Sequence, residues 1–337
     1  MGGSIMEELF NVERMEKSIG KAKRRSTWRM IFISVAVILT LVIGGAVANH
    51  VITPRLAFPI EVSFMHFSQI SGPNEFIGII ETYPGILGGE NYYKKYKWIE
   101  GKLVFTGEDG YGYGLFRNER LGRQGRTSTM HFGGAFTQEN IHYTHYNELG
   151  QRMMTFFYPQ VQYENVNDDL TYLQDMPDEK LVEMALSFDK GYSVDKALNL
   201  IPQELTAAWL WVNDVTEDAE LHMREYVDKE QVTGSPLVRS ANTVYGFSLL
   251  ESDGEAKVKP AQQFISSIQA GVPIKSRWQG EFKRLNETIA GKDGELVVED
   301  IVINGAVVTG TAKNLRQLQE LPFIKASSLG IVSDRYN

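Results

Sequence analysis

The sequence predicts an α+β protein that is held to a membrane by one N-terminal transmembrane helix. Residues 30–48 are nineteen consecutive uncharged residues, of which only Ser34 and Thr40 carry a polar side chain. A helix of this length is about 28 Å long, close to the hydrocarbon thickness of a bilayer. In residues 49–337, strand and helix patterns intermix without a strict βαβ order, which is typical of α+β folds.

The composition bounds the remaining possibilities. The chain has 337 residues, of which 43% are hydrophobic and 23% charged, so the part beyond the span is long enough for one large or two smaller domains. Cysteine is absent, which excludes disulfides, cysteine nucleophiles and thiolate metal sites.

The charge distribution predicts the orientation of the span. Residues 1–29 have a net charge of +3, and the rest of the chain has −11. The basic residues directly before the span are Lys21, Lys23, Arg24, Arg25 and Arg29. The positive-inside bias therefore predicts a cytoplasmic N-terminus and an extracytoplasmic C-terminal part. We expect these basic side chains to contact lipid headgroups, and the −11 charge disfavours nucleic acid as a direct partner.

A cleaved signal peptide is the alternative, because Ala46, Val47 and Ala48 fit the small-x-small cleavage pattern. The preceding arm and the apolar run are both longer than in a typical signal peptide, which favours a retained span. The large part is exported in either case.

The N-terminal arm, residues 1–29, predicts a short amphipathic helix. Leu9, Val12, Met15 and Ile19 recur at helical spacing. We expect a partner-binding face that comprises Leu9, Phe10, Val12, Met15 and Ile19. A helix lying on the inner leaflet, anchored by Phe10 and the basic residues, fits the same pattern equally well.

Residues 49–174 predict a β-rich region. Pro54 and Pro59 predict an extended linker, residues 56–70 show strand alternation, and residues 76–83 predict a second strand. Residues 97–106 predict a hairpin that turns at Glu100 and Gly101. The glycines of residues 107–114 lack a phosphate-binding spacing and predict a flexible loop.

Three histidines in this region are candidate metal ligands. His142 and His145 are three residues apart, and His131 precedes them. The surrounding residues indicate a strand, on which side chains three apart point to opposite faces. The sequence therefore favours surface or half-buried histidines and predicts no metal and no cofactor.

Residues 175–337 predict an α+β domain. Residues 181–188 fit a strand with Val182, Met184, Leu186 and Phe188 on one face, or a helix. The sequence next predicts a helix capped by Ser193 and a strand that places Trp209 and Trp211 on one face. It then predicts helices over residues 259–270 and 281–290. The C-terminal residues predict a strand over 296–309, a helix around Leu315, Leu318 and Leu321, and a strand over 323–332. The catalytic motifs considered are absent, so we expect no enzyme.

Two stretches resemble one protein family. The arm and span, MEKSIGKAKRRSTWRMIFISVAVILTLVI, resemble the N-terminal module of the sigma factor regulators of Gram-positive bacteria. The segments VEMALSFDKGYSVDKALNLIP, AAWLWVND and INGAVVTGTAKNLRQLQELPFIKASSLGIV resemble the C-terminal domain of that family. These motifs consist mainly of apolar, glycine and aromatic residues, so they indicate a fold family without indicating a reactive site.

The resemblance implies a membrane-bound anti-sigma factor. Its arm would hold an extracytoplasmic-function sigma factor inactive in the cytoplasm, and its outer domain would sense an envelope signal. The arm is short and has no His-Cys-Cys zinc motif, so a second membrane subunit is an expected partner, and Gly44, Gly45 and Ala46 offer a close helix contact for it. An exported binding or cell-wall-associated protein, merely tethered by the span, is the alternative function.

Overall fold

The structure is a computed structural model that describes residues 12–115, 145–216, 221–227, 230–291 and 294–335. For residues 12–13, 222–227 and 230–235 it describes the backbone only. The chain divides into two compact units, Met1–Arg55 and Leu56–Asn337. We call the second of these the globular unit.

One helix, α1, extends over Val12–Ile70. The predicted linker at Pro54 and Pro59 and the predicted strand over 56–70 are therefore wrong. Each proline removes a helical hydrogen bond at a cost of about 3 kcal/mol. Burying Ile60, Phe64 and Ile70 in the core of the globular unit offsets this, because each side chain contributes about 1.5–3 kcal/mol.

Three antiparallel strands in the order β1-β2-β3 follow α1: β1 (Glu75–Pro84), β2 (Gly88–Ile99) and β3 (Lys102–Gly114). They confirm the strand predicted over 76–83 and the hairpin predicted at Glu100 and Gly101, which adopt φ angles of +49° and +77°. The flexible loop predicted over 107–114 is wrong. Its residues pair with β2 and bury Tyr111 and Tyr113.

Short segments lead into the second half of the globular unit. They are β4 (His145–Tyr146), β5 (Arg152–Met153), β6 (Thr155–Phe157) and a 3₁₀ helix over Asp169–Asp175. β4 pairs with β5, and β6 pairs with the later strand β11 (Val238–Ser240). A further hairpin comprises β9 (His222–Val227) and β10 (Glu230–Pro236).

A five-stranded antiparallel sheet in the order β12-β8-β13-β7-β14 is the centre of the globular unit. Its strands are β7 (Leu181–Tyr192), β8 (Thr206–Val212), β12 (Gly246–Ser248), β13 (Ile303–Thr311) and β14 (Ile324–Ser333). The helices are α2 (Val194–Leu200), α3 (Pro260–Gly271), α4 (Gln279–Ile289) and the single turn α5 (Ala312–Leu315).

The sheet buries both of its faces. Val182, Met184, Leu186 and Phe188 of β7 join the large core that also contains the buried sides of α3 and α4. Trp209 and Trp211 of β8 lie on the opposite face, with Phe156 and Tyr158. Both predicted face assignments are therefore confirmed, and the strand interpretation of residues 181–188 is the correct one.

Three of the later predictions need adjustment. The strand predicted over 296–309 begins only at Ile303, because a 3₁₀ turn over Val298–Asp300 precedes it. Leu296 and Ile301 enter the same core although they are five residues apart, and a regular strand would point them to opposite faces. The helix expected around Leu315 is α5 followed by a 3₁₀ turn over Arg316–Leu318, and Leu321 lies beyond it. Ser193 precedes α2, but its side chain makes no capping hydrogen bond.

Candidate functional site

The predicted partner-binding face lies at the beginning of α1. Leu9 and Phe10 lie outside the described residues, and the side chain of Val12 does too. Met15 and Ile19 are 51% and 60% exposed, so both apolar side chains are accessible. The predicted lipid-contact residues occupy the same helix and are all exposed: Lys21, Lys23, Arg24, Arg25 and Arg29. The structure contains no partner that tests either role.

The predicted span, residues 30–48, is uncovered apolar surface on α1. In the described part of the chain, one helix is long and apolar enough to cross a membrane, judged by length and composition. Phe32 is 76% exposed and Leu41 is 69% exposed. Apart from the helix's own backbone, nothing lies within 4 Å of a Cβ built on Gly44 or Gly45. This surface fits a membrane protein, since its burial in lipid would remove the cost of hydrating it.

The last turns of α1 pack into the globular unit through aromatic residues. The ring of Phe64 lies 4.6 Å from the rings of both Tyr93 and Tyr111, measured between centroids, and 5.7 Å from Trp278. Phe67 stacks on Trp278 at 5.6 Å. Residues 56–70 are therefore a structural part of the globular unit, which sequence reasoning missed because the two prolines suggested a linker. The helical spacing of Ile60, Phe64 and Phe67 was the available signal.

A buried ion pair joins the three-stranded sheet to the five-stranded sheet. Glu183 of β7 is fully buried, and its two oxygens accept hydrogen bonds from Lys97 Nζ of β2 at 3.0 and 3.1 Å. Asn74 Nδ2 donates to the same carboxylate at 3.0 Å, and the backbone N–H of Ile331 donates at 3.3 Å. The carboxylate thus accepts four hydrogen bonds from three donor groups, which is the condition under which a buried charge is tolerated.

A second buried carboxylate, Asp214, connects β8 to α4. It accepts a hydrogen bond from Tyr158 Oη at 2.8 Å and one from Arg284 Nη2 at 3.2 Å. Burial raises the pKa of Tyr158, and the negative charge of Asp214 raises it further. Burial alone would lower the pKa of Arg284, but Asp214 and Glu281 together raise it. The cluster is a charge-balanced structural connection.

The described part of the chain contains no metal site at the candidate histidines. His131 and His142 lie outside the described residues, and His145 lies in β4. Within the described ranges, no group of three or more His, Asp or Glu side chains could hold a metal ion.

Comparison with known families assigns most of the second half of the chain. Residues 173–331 match the sequence model of the family described as sigma factor regulator C-terminal. This segment is therefore similar to a sigma factor regulator domain. The predicted resemblance to the sigma factor regulator family is thereby confirmed. Neither the curated proteins nor the solved structures provided a match to this chain.

The sigma factor regulator domain contains the whole central sheet except the last residues of β14. Its family is regulatory rather than catalytic. Together with the apolar helix, the domain supports a membrane anti-sigma regulator at the level of the family. The predicted contact residues of the arm stay a prediction.

Proposed function

We propose that this protein is a single-pass membrane anti-sigma factor that sequesters an extracytoplasmic-function sigma factor and responds to an envelope signal. The observation that carries the proposal is the sigma factor regulator domain on the same chain as an uncovered apolar helix. The charge difference between residues 1–29 and the rest supports a cytoplasmic arm and an extracytoplasmic domain.

The arm would act by mass action. An apolar helix face that binds the sigma factor lowers the concentration of free sigma factor, and loss of that contact releases it for transcription. Met15 and Ile19 are exposed on α1, as such a face requires, and the proposed face is completed by Leu9, Phe10 and Val12. The arm requires no cofactor for this role.

Affinity purification of the full chain from detergent-solubilised membranes tests the proposal. We expect a sigma factor to copurify with the unaltered chain, and the double variant Leu9→Asp with Met15→Asp to lose it, because two charges on the apolar face must be desolvated in the complex. Lys17→Asp is the matched control, since exposed position 17 lies about 160° around the helix from both Met15 and Ile19. A sigma factor that binds all three proteins equally would contradict the assigned face.

The alternative is an exported binding or cell-wall-associated protein that the span only tethers. Deleting residues 2–20 separates the two functions. An anti-sigma factor without its arm should raise transcription from sigma-dependent envelope-stress promoters. A tethered protein without its arm should leave that transcription unchanged.

A second membrane subunit is the other partner that we propose. Gly44 and Gly45 offer a surface where another helix could approach closely, because an added Cβ meets nothing there. Replacing both by Leu should abolish copurification of a second membrane protein while the chain itself still reaches the membrane. Unchanged copurification would place the contact elsewhere.

A further inference from the structure

The turn between β1 and β2 is an exposed apolar surface. Residues 82–89, which we call the hairpin tip, contain no charged side chain. Ile86 in the turn is 81% exposed, Tyr83 is 55% exposed, and Leu115 beside the turn is 64% exposed. Single exposed apolar residues are normal on protein surfaces, but a group of them on an uncharged projection indicates a contact with another apolar surface.

Hydrogen bonds fix the backbone of the hairpin tip. The N–H of Gly85 donates to the carbonyl oxygen of Gly88 at 2.6 Å, and the N–H of Leu115 donates to the carbonyl oxygen of Leu87 at 2.9 Å. The second bond places Leu115 next to the turn. The hairpin tip therefore presents Ile86 and Leu115 together, as one apolar surface.

The hairpin extends towards the beginning of the globular unit. The chain reverses direction between α1 and β1, and Ile80 of β1 pairs with Tyr93, whose ring lies 4.6 Å from that of Phe64. The four residues from Ile80 to Pro84 rise about 13 Å along the strand. The eight residues from Phe64 back to Leu56 rise about 12 Å along the helix. The hairpin tip therefore reaches the level of Leu56, where the globular unit begins.

The occupant of this surface follows from the sequence. Ala48, the last residue of the predicted span, precedes Leu56 by eight residues, so even an extended chain separates the two by no more than about 29 Å. A bilayer is therefore the apolar phase that chain connectivity brings to this end of the globular unit. Tyrosine is enriched at membrane interfaces, and aliphatic side chains favour the acyl region, which fits Tyr83 beside Ile86.

We propose that the hairpin tip lies on the membrane surface, with Ile86 and Leu115 among the outer acyl chains and Tyr83 at the headgroups. The inference rests on the membrane insertion in the proposed function and does not depend on the sigma factor contact. Removing one isoleucine side chain from water favours such a contact by at least about tenfold.

Fluorescence quenching of the full chain in phosphatidylcholine vesicles tests this proposal. The chain contains no cysteine, so Ile86→Cys provides a single attachment point for an environment-sensitive fluorophore. Lipids that carry a nitroxide on the acyl chain should quench this label. The same label at Val258→Cys should keep its emission. Val258 is 74% exposed but lies at the other end of residues 56–70, since the neighbouring Lys257 donates to Gln69 at 2.9 Å.

A third label, at Leu41→Cys in the span, separates two kinds of failure. Quenching at Leu41 without quenching at Ile86 would overturn this inference and leave the membrane insertion intact. No quenching at either position would overturn both. A label at Ile86 that is shielded from water but not quenched by the nitroxide lipid would indicate a protein on the hairpin tip, and it would also overturn the inference.

Leu115→Asp tests the surface without changing the labelled position. In the chain labelled at Ile86→Cys, it should reduce the quenching, because it removes apolar area and adds a charge that the contact would have to desolvate. Leu103→Asp is the matched control, since Leu103 is 47% exposed at the opposite end of β3. Both leucines are exposed, so neither variant should unfold the protein. Equal quenching in the two variants would refute the assigned surface.

Discussion

Replacing Lys97 by Met should be among the most damaging single substitutions in the globular unit. The ammonium group makes two hydrogen bonds to Glu183, and its loss leaves a fully buried carboxylate with only the donors of Asn74 and Ile331. Removing one member of a buried ion pair costs about 3–5 kcal/mol. Two neutral donors persist at the carboxylate, so we expect a value near the lower end, about 3 kcal/mol.

Urea unfolding of the full chain in detergent, followed by tryptophan fluorescence, measures this loss. The matched control is Lys94→Met on the same strand, where the ammonium lies 3.9 Å from Glu108 and both side chains are about half exposed. Exposed pairs of this kind contribute about 0–1 kcal/mol. The double variant Lys97→Met with Glu183→Leu should recover part of the loss, since no unpaired charge is left. A loss for Lys97→Met no larger than that for Lys94→Met would refute the reasoning.

Three further substitutions test other parts of the structure. Phe64→Ala should lower the free energy of unfolding by about 3–5 kcal/mol, because it removes a buried ring packed against Tyr93, Tyr111 and Trp278. Phe58→Ala, at an exposed position of the same helix, should cost far less when it is measured by the same urea unfolding. Gly246→Ala should lower the free energy of unfolding by about 1–3 kcal/mol, since the added Cβ would lie 2.0 Å from the carbonyl oxygen of Leu210. The control is Gly280→Ala in α4, where an added Cβ meets no atom within 4 Å, so thermal unfolding should show no destabilisation. Burial raises the pKa of Tyr111 from 10.0 to about 12. The stability that the neutral Tyr111 side chain contributes is therefore fully present below pH 10 and is lost as the pH rises towards 12. Between pH 10 and 12 the Tyr111→Phe variant should lose less stability than the unaltered protein, and equal losses would contradict the assignment.

Local patterns were sufficient wherever one face of an element was buried and its turn chemistry was clear. The hairpin at Glu100 and Gly101 was predictable because a two-residue turn with positive φ angles matches the twist of the strands. β7 has period-two alternation over Val182, Met184, Leu186 and Phe188, and the alternation determines which side chains enter the large core.

The failures share one physical cause, which is tertiary contact that overrides local preference. Pro59 predicts an interruption of the helix. Ile60 and Phe64, which are one helical turn apart, are nevertheless both buried in the core, and their burial outweighs the hydrogen bond that Pro59 removes. The glycines of residues 107–114 suggest flexibility, yet a paired neighbour strand fixes them as β3. The buried ion pair had no sequence signal, since Lys97 and Glu183 come from separate segments that only the fold brings together.

Strand β2 connects the features that matter for a regulatory domain. Lys97 forms the buried ion pair with Glu183 in the central sheet, and Tyr93 contacts Phe64 of α1. Packed interiors respond to strain by moving between discrete arrangements, because few voids absorb a displacement. A displacement of Lys97 would therefore act on the strand that holds the last turns of α1.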